Sequence, residues 1–422
     1  MRAVGLITEY NPFHNGHLHH LRESLKVASA DVSVAVMSGH FLQRGEPALV
    51  DKWTRTEMAL AAGVDLVVEL PLPWACSSAP DFARGGVQAL SALGGVAALC
   101  FGSETGELAP LQGCAEWLCE QEPEVKIRTA ALLRQGKNYP QARAELLADC
   151  DCGGIAAAEL AAPNNILGIE YLKALRQTGS VLEPFTIRRV GAGYHDLASG
   201  PDRIASATGI RQQLDEGQPV AELMPKHSYA ILHRVLQKRR YFSSARYLQL
   251  LQGQIFRDPD QLEDYWLVEA GLEQRLIDQA DQAETLEKLI SGIKVRQLTR
   301  TRVQRALVSV LLGLRQATIR PLLAAFPGYL HLLGASPQGR KFISASRRQR
   351  QVPLVQNFSR IYAQLKRHYG MNSALYRQAL EQLELELRAT RMYSLLLYQF
   401  AGGSRNRDFY EPLLQTDSPQ RH

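Results

Sequence analysis

The chain begins with an apolar run that breaks into a polar loop and then into a helix, and this junction constrains the fold more than any other segment. Val4 to Ile7 has the composition of a buried strand. The next ten residues read TEYNPFHNGH, and their Asn11-Pro12 pair predicts a turn. Leu18 to Val27 predicts a helix, because its leucines recur on one face. The two histidines of the loop therefore lie where a strand passes into a helix.

A junction of this kind is suited to phosphate, because a helix N-terminus carries unpaired N–H groups and a partial positive charge. Gly16 lets a nucleotide approach the backbone, and His14 and His17 can turn ring N–H donors toward the same phosphate oxygens. The pattern resembles the HxGH signature of the nucleotidyltransferase superfamily, in which a nucleoside triphosphate is attacked at its α-phosphorus and pyrophosphate leaves. Its place after the first strand is where a doubly wound sheet forms its nucleotide crevice.

Strand-like and helix-like segments alternate through the first half of the chain. Apolar runs predict strands at 4–7, 32–37, 66–70 and 97–101, with helical patterns between them, and a further strand is expected at 184–190. This alternation predicts an α/β fold, a doubly wound parallel-sheet (Rossmann-like) nucleotidyltransferase domain. Beyond Glu216 we expect no further strands, and 334–355 reads as a loop. We therefore expect two domains, residues 1–215 and an all-α basic domain at 216–422.

Charge is distributed unevenly between the two halves. Residues 1–225 carry 18 Lys and Arg against 26 Asp and Glu, whereas residues 226–422 carry 30 against 16. No acidic residue occurs between Glu287 and Glu381, but 17 lysines and arginines do, among them Lys294, Arg296, Arg300, Arg302, Arg305, Arg340, Lys341, Arg347, Arg348 and Arg350. A solvated helical face normally mixes both signs, so this stretch predicts a surface that binds a polyanion such as nucleic acid.

Several classes of protein are disfavoured by composition. The first apolar run is too short for a secretory signal, and the longest uncharged tract, 321–339, contains three prolines, which makes it a poor membrane span. The six cysteines lack the spacing of a disulfide framework, and Cys76 and Cys100 have surroundings suited to reduced core thiols. Cys150 and Cys152 have no second Cys or His pair that would complete a zinc site. We expect a cytoplasmic protein with no metal site of its own.

Five further motifs contain residues suited to nucleotide chemistry. Ser206-Ala-Thr208-Gly-Ile-Arg211 resembles the ISSTxxR element that accompanies HxGH, in which hydroxyls and a fixed positive charge meet phosphates. Gly102 ends a predicted strand, where a side chain would collide with an adenosine lying across the sheet. The loop after the second strand offers Arg44 and Lys52 to phosphates. Each motif also has a plainer structural explanation, as an N-cap, a turn or a surface loop. The remaining two motifs are pairs, Asn164-Asn165 at a helix entry and Arg188-Arg189 at a strand end.

Taken together, these motifs are similar to those of the bacterial tRNA(Met) cytidine acetate ligases. The resemblance rests on GLITEYNPFHNGH, MSGHFLQRGEPALVDKW, FGSE, PNNILGIEYLKAL, RRVGAGYHD and SATGIR, and it extends less sharply into the basic half. The family implies that acetate and ATP form acetyl-adenylate. The acetyl group then passes to N4 of the wobble cytidine (position 34) of elongator tRNA(Met), giving N4-acetylcytidine, AMP and pyrophosphate.

The resemblance also implies the residues of the site. The implied catalytic residues are His14, His17 and Arg211. The implied ATP contacts are Ile7, Thr8, Glu9, Tyr10, Asn11, Pro12, Phe13, His14, Asn15, Gly16, His17, His20, Gly102, Asn164 or Asn165, Arg188 or Arg189, Ser206 and Thr208. ATP would bind with Mg²⁺, and the partners would be tRNA and acetate, with no membrane and no protein partner implied. His40 stands where the family commonly has Asn.

Two other functions remain open at this point. A small-molecule adenylyltransferase would share HxGH and the Ser/Thr-Arg element, but it would not need an acid-free basic half. A non-catalytic RNA-binding protein would need the basic half, but it would not need His14, Gly16, His17 and Arg211 intact.

Overall fold

A computed structural model describes residues 1–137, 139–148, 157–190 and 204–416 of the chain. Its strands are β1 Ala3–Thr8, β2 Val32–Ser38, β3 Leu66–Leu70, β4 Val96–Ser103, β5 Glu183–Arg188, β6 Leu330–Ala335, β7 Leu354–Val355 and β8 Leu414–Gln415.

The helices lie between and after these strands. They are α1 Asn15–Val27, α2 Lys52–Ala61, α3 Leu72–Ala75, α4 Ala79–Leu93, α5 Leu108–Glu120, α6 Glu122–Arg134, α7 Tyr139–Leu147, α8 Ala157–Leu160, α9 Pro163–Thr178, α10 Ala207–Asp215, α11 Lys226–Gln237, α12 Ser244–Arg257, α13 Leu272–Gln282, α14 Leu286–Ile293, α15 Arg300–Leu312, α16 Gln316–Ala324, α17 Pro337–Ala345, α18 Ile361–Tyr369 and α19 Ala374–Leu396. Short 3₁₀ turns separate some of them, and no helix among the described residues is both long and apolar enough to cross a membrane.

One sheet organises the fold. Its strand order is β5-β4-β1-β2-β3-β6-β7, with β8 added beside β6. The first five strands are parallel, as predicted, and the five predicted strand positions are confirmed. The order reverses between β1 and β4, so a crevice forms where their carboxyl ends diverge. We call the edge at which β1 to β5 end the C-terminal edge, and the opposite edge the N-terminal edge.

Both faces of the sheet are buried, as a doubly wound sheet requires. Every residue of β2 is buried, and its side chains alternate between two clusters. Val32, Val34 and Val36 pack into the cluster that contains α4 and α9, while Ala35 and Met37 pack into the cluster that contains α2 and α11. This two-sided burial explains why the strands read as continuous apolar runs rather than as alternating patterns.

The second half of the chain departs from the all-α expectation. β6 is fully buried and pairs with β3 in antiparallel orientation, so residues beyond 216 extend the same sheet. The predicted loop at 334–355 also contains α17. The prediction was wrong here because β6 is only six residues long, which is too short for periodicity to separate a strand from a helix. The α/β nucleotidyltransferase-like fold is confirmed, and the division at 215/216 stays a prediction.

Candidate functional site

The loop between β1 and α1 ends in an unusual N-terminal cap made by two histidines. His14 is the N-cap of α1, and its Nδ1 accepts a hydrogen bond from the backbone N–H of Gly16 at 3.0 Å. The backbone N–H of His14 donates in turn to Nδ1 of His17 at 3.3 Å. The two rings stack with centroids 3.8 Å apart. This arrangement has the reciprocal form of a capping box, with imidazoles in place of hydroxyl and carboxylate groups.

The cap fixes the tautomer of both histidines. Each Nδ1 accepts a backbone N–H, so a neutral ring must carry its proton on Nε2. Burial lowers the pKa of His14 to about 3, with a further lowering from the positive charge of Arg189. Burial, then the neighbouring His14, hold the pKa of His17 well below its ordinary value. Both side chains are therefore neutral donors through Nε2 rather than cations.

The glycine of HxGH is required by this geometry. A Cβ on Gly16 would lie 2.8 Å from Cε1 of His14 and 3.2 Å from Cγ2 of Ile204, a residue shortly before α10. Without the side chain, the His14 ring can lie over the backbone N–H that it caps. The same gap lets the start of α10, where Ser206 and Thr208 lie, approach the start of α1.

Two aromatic residues of the loop pack against the ring of His17. Tyr10 and Phe13 are buried, with ring centroids 4.7 Å apart, and they lie 5.0 and 5.5 Å from the ring of His17. Tyr10 has a φ of 49°, a left-handed backbone that costs a tyrosine on the order of 1 kcal/mol. The Asn11–Pro12 peptide bond that follows is cis. Tyr10 and Phe13 thus hold His17 in place, and their rings are not exposed to a ligand.

The predicted asparagine pair lies at the start of α9, beside the carboxyl end of β4. Both oxygens of Glu104 accept backbone N–H groups at the start of α9, from Asn164 at 3.1 Å and from Asn165 at 2.7 Å. Asn165 is fully buried; its Oδ1 accepts from the N–H of Glu104, and its Nδ2 donates to the carbonyl of Glu159. Asn164 donates its Nδ2 to Glu104 and is partly exposed. Of the two asparagines, Asn165 has its amide oxygen bonded within the fold, whereas no donor to the amide oxygen of Asn164 is found among the described residues.

The arginine pair at the end of β5 also divides into two environments. Arg189 is close enough to the histidines for its positive charge to lower the pKa values of His14, His17 and His20. A Cβ on Gly102 would lie 3.1 Å from Cγ of Arg189, so the absence of a side chain at Gly102 leaves room for this arginine. Arg188 instead lies against the backbone of Gly106, on the other side of the strand.

Arg211 joins three segments at the C-terminal edge. Its Nη1 donates to the carbonyl of Asn11 at 2.9 Å, and its Nη2 forms an ion pair with Glu46 at 2.7 Å. The Ser206 hydroxyl accepts from the N–H of Gly209, which is the plain N-cap role, and Thr208 is exposed. Arg211 therefore connects α10 to the HxGH loop and to the loop before α2.

Other predicted residues of the loop have supporting contacts. Glu9 accepts from the N–H of Gln43 at 2.7 Å, and burial raises the pKa of this carboxyl. Asn15 donates to the carbonyl of Glu222 at 2.8 Å. Ile7 packs against Gly86 of α4. Burial lowers the pKa of His20 to about 4. Thr8 is buried at the end of β1.

One prediction in this region is wrong. Lys52 does not reach toward phosphates, because it is fully buried and its Nζ binds Glu69 at 2.6 Å and Asp408 at 2.6 Å. His331 completes the cluster through a 2.8 Å contact with Glu69. Glu69, His331 and Asp408 are the one group of metal-type side chains found among the described residues, and the Lys52 ammonium bonds two of its three members. By contrast, Arg44 is exposed, as expected.

Sequence reasoning missed a buried arginine that organises the site. Arg55 is fully buried and donates to the carbonyls of Glu9 at 2.6 Å, Ser38 at 2.9 Å and Val50 at 3.2 Å, as well as to that of Gly39. These carbonyls belong to the HxGH loop and to the loop after β2. An arginine inside a helix gives no sequence signal for such a role, because its acceptors are backbone atoms brought close only by the fold.

Some predicted features cannot be compared with the structure. Cys150 and Cys152 lie outside the described residues, and so does the 191–196 part of the RRVGAGYHD motif. Cys76 and Cys100 are buried and free, as expected, and Cys114 and Cys119 are free as well.

Comparisons with known proteins agree with this geometry. The family model described as HIGH Nucleotidyl Transferase matches residues 1–408. A tRNA(Met) cytidine acetate ligase from Syntrophotalea carbinolica is 56% identical over 99% of this chain and 100% of that protein. One from Acetivibrio thermocellus is 38% identical over 98% and 100%.

Solved structures of Thermotoga maritima TmcAL are also similar. The form bound with alpha-thio ATP has a TM-score of 0.88 at 31% identity, covering 99% of this chain and 100% of that one. The apo form has a TM-score of 0.90 at 32% identity, with the same coverage. With its HxGH cap, crevice and sheet order, the chain belongs to the tRNA(Met) cytidine acetate ligase family of HIGH nucleotidyl transferases.

Proposed function

We propose that this protein activates acetate with ATP to form acetyl-adenylate and transfers the acetyl group to N4 of the wobble cytidine (position 34) of elongator tRNA(Met). The products are N4-acetylcytidine, AMP and pyrophosphate. The observation that carries the proposal is the pair of histidines at the N-terminus of α1, whose Nδ1 atoms both accept backbone N–H groups, which leaves Nε2 of each ring as the donor. The names of the relatives and the alpha-thio ATP bound to Thermotoga maritima TmcAL support the choice of substrates.

In the first step, a carboxylate oxygen of acetate attacks the α-phosphorus of ATP. A new P–O bond forms to acetate while the bond from the α-phosphorus to the bridging oxygen breaks, and pyrophosphate leaves with its electron pair. Such a reaction depends mainly on positioning and on stabilising negative charge. His14 and His17 donate through Nε2 to the non-bridging oxygens of the α-phosphate, and the start of α1 adds its partial positive charge. Arg189 and Arg211 stabilise the departing pyrophosphate.

In the second step, the N4 amine of cytidine attacks the acetyl carbonyl of the mixed anhydride. AMP leaves, and the nitrogen loses a proton to solvent or phosphate. No side-chain nucleophile is required, because acetyl-adenylate is already activated. A base in a single-stranded anticodon loop exposes N4, whereas base pairing would hide it.

The contacts around the two pairs support a choice of one ATP-binding residue from each pair. We propose Asn164 rather than Asn165, because the polar atoms of Asn165 are used within the fold. We propose Arg189 rather than Arg188, because Arg189 lies beside Gly102 and its charge acts on the histidines, whereas Arg188 lies against Gly106. Gly102, Ser206 and Thr208 line the approach to the same edge.

We further propose that Mg²⁺ enters bound to the phosphates of ATP. Mg²⁺ keeps several waters and commonly binds through substrate phosphates with few protein ligands. The carboxylates nearest the site are engaged, Glu104 with the start of α9 and Glu46 with Arg211. We therefore assign the ion no protein ligand. The free thiols of Cys76, Cys100, Cys114 and Cys119 support a reducing compartment, so we place the reaction in the cytoplasm.

The test is acetate-dependent exchange of labelled pyrophosphate into ATP, followed by mass spectrometry of nucleosides from tRNA incubated with enzyme, ATP and labelled acetate. The proposal predicts exchange that requires acetate and a labelled N4-acetylcytidine in tRNA(Met). Exchange that ignores acetate and responds to a mononucleotide would identify a small-molecule adenylyltransferase instead. tRNA binding without any exchange would identify a non-catalytic RNA-binding protein.

A further inference from the structure

The acid-free basic stretch separates into groups at different places in the fold. One group surrounds the turn between α14 and α15, residues 294–299, which we call the α14–α15 turn. A second group, the far-edge cluster, comprises Arg340, Lys341, Arg347, Arg348 and Arg350. Their positions relative to the HxGH loop decide which of them can meet a tRNA held for acetyl transfer.

The far-edge cluster lies at the N-terminal edge of the sheet. β6 runs antiparallel to β3, so its end at Ala335 pairs with Leu66 at the start of β3. α17 follows directly, and the backbone N–H of Ser336 donates to the carbonyl of Asp65 at 2.8 Å. The N–H of Gln351 donates to the carbonyl of Ala92, just before β4 begins. The sheet therefore separates this cluster from the HxGH loop.

The α14–α15 turn lies on the same side as the HxGH loop. Arg305 of α15 donates to the carbonyl of Gln43 at 3.1 Å, and Gly45 packs directly against the backbone of Arg305. Gln43 donates to Glu9 of the HxGH loop, and Glu46 binds Arg211. From Arg305 back to Thr299, the helix spans only about 9 Å at 1.5 Å per residue. The loop after β2 thus contacts α15 on one side and the HxGH loop and Arg211 on the other, and it connects the basic turn to the adenylation site.

Two cations of the α14–α15 turn are not used in local ion pairs among the described residues. Arg300 donates through both terminal nitrogens to Glu287 at 2.6 Å, and Arg302 pairs with Glu269. Lys294 and Arg296 are exposed and have no acidic partner among the described residues. They line an open depression of about 550 Å³ together with Val295, Leu298, Thr299 and Arg300. A depression of this size admits a sugar-phosphate unit, and its cationic side chains suit a phosphate.

We propose that the α14–α15 turn binds backbone phosphates of the tRNA during acetyl transfer, with Lys294 and Arg296 as the contacting cations. The proposal rests on the proposed function, because it takes the polyanion to be the tRNA substrate. It deepens that function by selecting one face of the basic half. The far-edge cluster then makes no contact that transfer requires.

The experiment compares two charge-reversed double variants of the full-length protein. The test variant carries Lys294→Glu and Arg296→Glu, and the matched control carries Arg347→Glu and Arg348→Glu, which changes charge equally at exposed positions of the opposite edge. Dissociation constants for fluorescently labelled tRNA(Met) are measured by fluorescence anisotropy at KCl concentrations from about 50 to about 300 mM, because phosphate contacts make the affinity depend on salt. Pyrophosphate exchange without tRNA is measured on the same preparations, and a Lys294→Gln, Arg296→Gln variant repeats the test without reversed charge.

We expect the dissociation constant of the test variant to rise by about tenfold or more, and its salt slope to fall by about 1.4 to 1.8, since each phosphate contact contributes about 0.7 to 0.9. The control should bind within about twofold of the parent. Parent-like binding by both the Glu and Gln variants would overturn the proposal, as would an equal loss in the control. Failure of the proposed function is distinguishable, because then the parent binds tRNA but shows no acetate-dependent exchange.

Discussion

The histidine cap of α1 makes a structural and a chemical contribution that substitution can separate. His14 offers Nδ1 to the N–H of Gly16 and leaves Nε2–H for the α-phosphate. Alanine removes both. Loss of the cap should lower the free energy of unfolding by about 1 kcal/mol. Loss of a preorganised donor to the transition state should lower the exchange rate by about 10² to 10³, equivalent to about 2.7 to 4 kcal/mol.

Asparagine and glutamine divide these contributions. Asn at position 14 places Oδ1 near the position of Nδ1, so His14→Asn should keep the cap and the stability but lose the exchange rate. His14→Gln places an amide N–H near the position of Nε2, so it should recover part of the rate while losing the cap. Unfolding in urea and acetate-dependent pyrophosphate exchange measure the two effects. An exchange rate within about threefold of the parent in His14→Asn would refute the assigned donor role.

Four further predictions concern the histidines, the asparagine pair and Arg55. Burial keeps both histidines neutral, with the pKa of His14 at about 3. The pyrophosphate exchange rate should therefore show no change caused by histidine protonation between about pH 5.5 and 7.5. A loss of activity centred near pH 6.5 that disappears in His17→Asn would contradict this. The unfolded chain protonates these rings below about pH 6.5 and the folded chain does not, so the melting temperature should fall as pH drops from there toward 3. Asn165→Ala should destabilise the fold by about 1 to 3 kcal/mol in urea, because it leaves the N–H of Glu104 unpaired, whereas Asn164→Ala should mainly raise the KM for ATP; the reverse pattern would exchange their roles. Arg55→Lys should lower stability by about 3 kcal/mol or more, since one ammonium cannot replace four guanidinium hydrogen bonds to carbonyls, and a neutral effect on urea unfolding would show that these bonds contribute little.

The parallel part of the sheet could be predicted because its signals are local. The strands β1 to β4 are apolar runs between turn residues, and almost all of their residues are buried. The HxGH loop was predictable for the same reason, since its strand, turn and helix start are contiguous. β6 was missed because it depends on pairing with β3, more than 250 residues earlier in the chain.

The site itself was predicted in outline but not in its hydrogen bonds. The sequence contains both asparagines and both arginines, yet nothing in their order shows which member is consumed by the fold. Glu104 binds Asn165, which lies 61 residues away in the sequence, and Lys52 binds Asp408, which lies 356 residues away. Contacts over such separations are decided by packing, so an exposed loop lysine and a buried one look alike in sequence.

The Lys52 cluster yields a last prediction, because its ammonium stands where a metal ion would fit. Glu69, His331 and Asp408 offer three ligand atoms within 4.8 Å of one another, all buried. Lys52→Ala removes the charge that balances them, so the variant should lose about 3 to 5 kcal/mol of stability in metal-free buffer.

Zinc should recover part of this loss. Two carboxylates and an imidazole, with water in a fourth position, form a set of ligands that Zn²⁺ accepts. Thermal unfolding of Lys52→Ala with Zn²⁺ should therefore show a rise in melting temperature that EDTA reverses, while the parent, with its ammonium in place, shows none. A Lys52→Ala, His331→Ala double variant removes one ligand and should abolish the rise. If Zn²⁺ changes the melting temperatures of the parent and both variants equally, the ion binds elsewhere. Glu69, His331 and Asp408 then do not come together around a metal ion when Lys52 is removed.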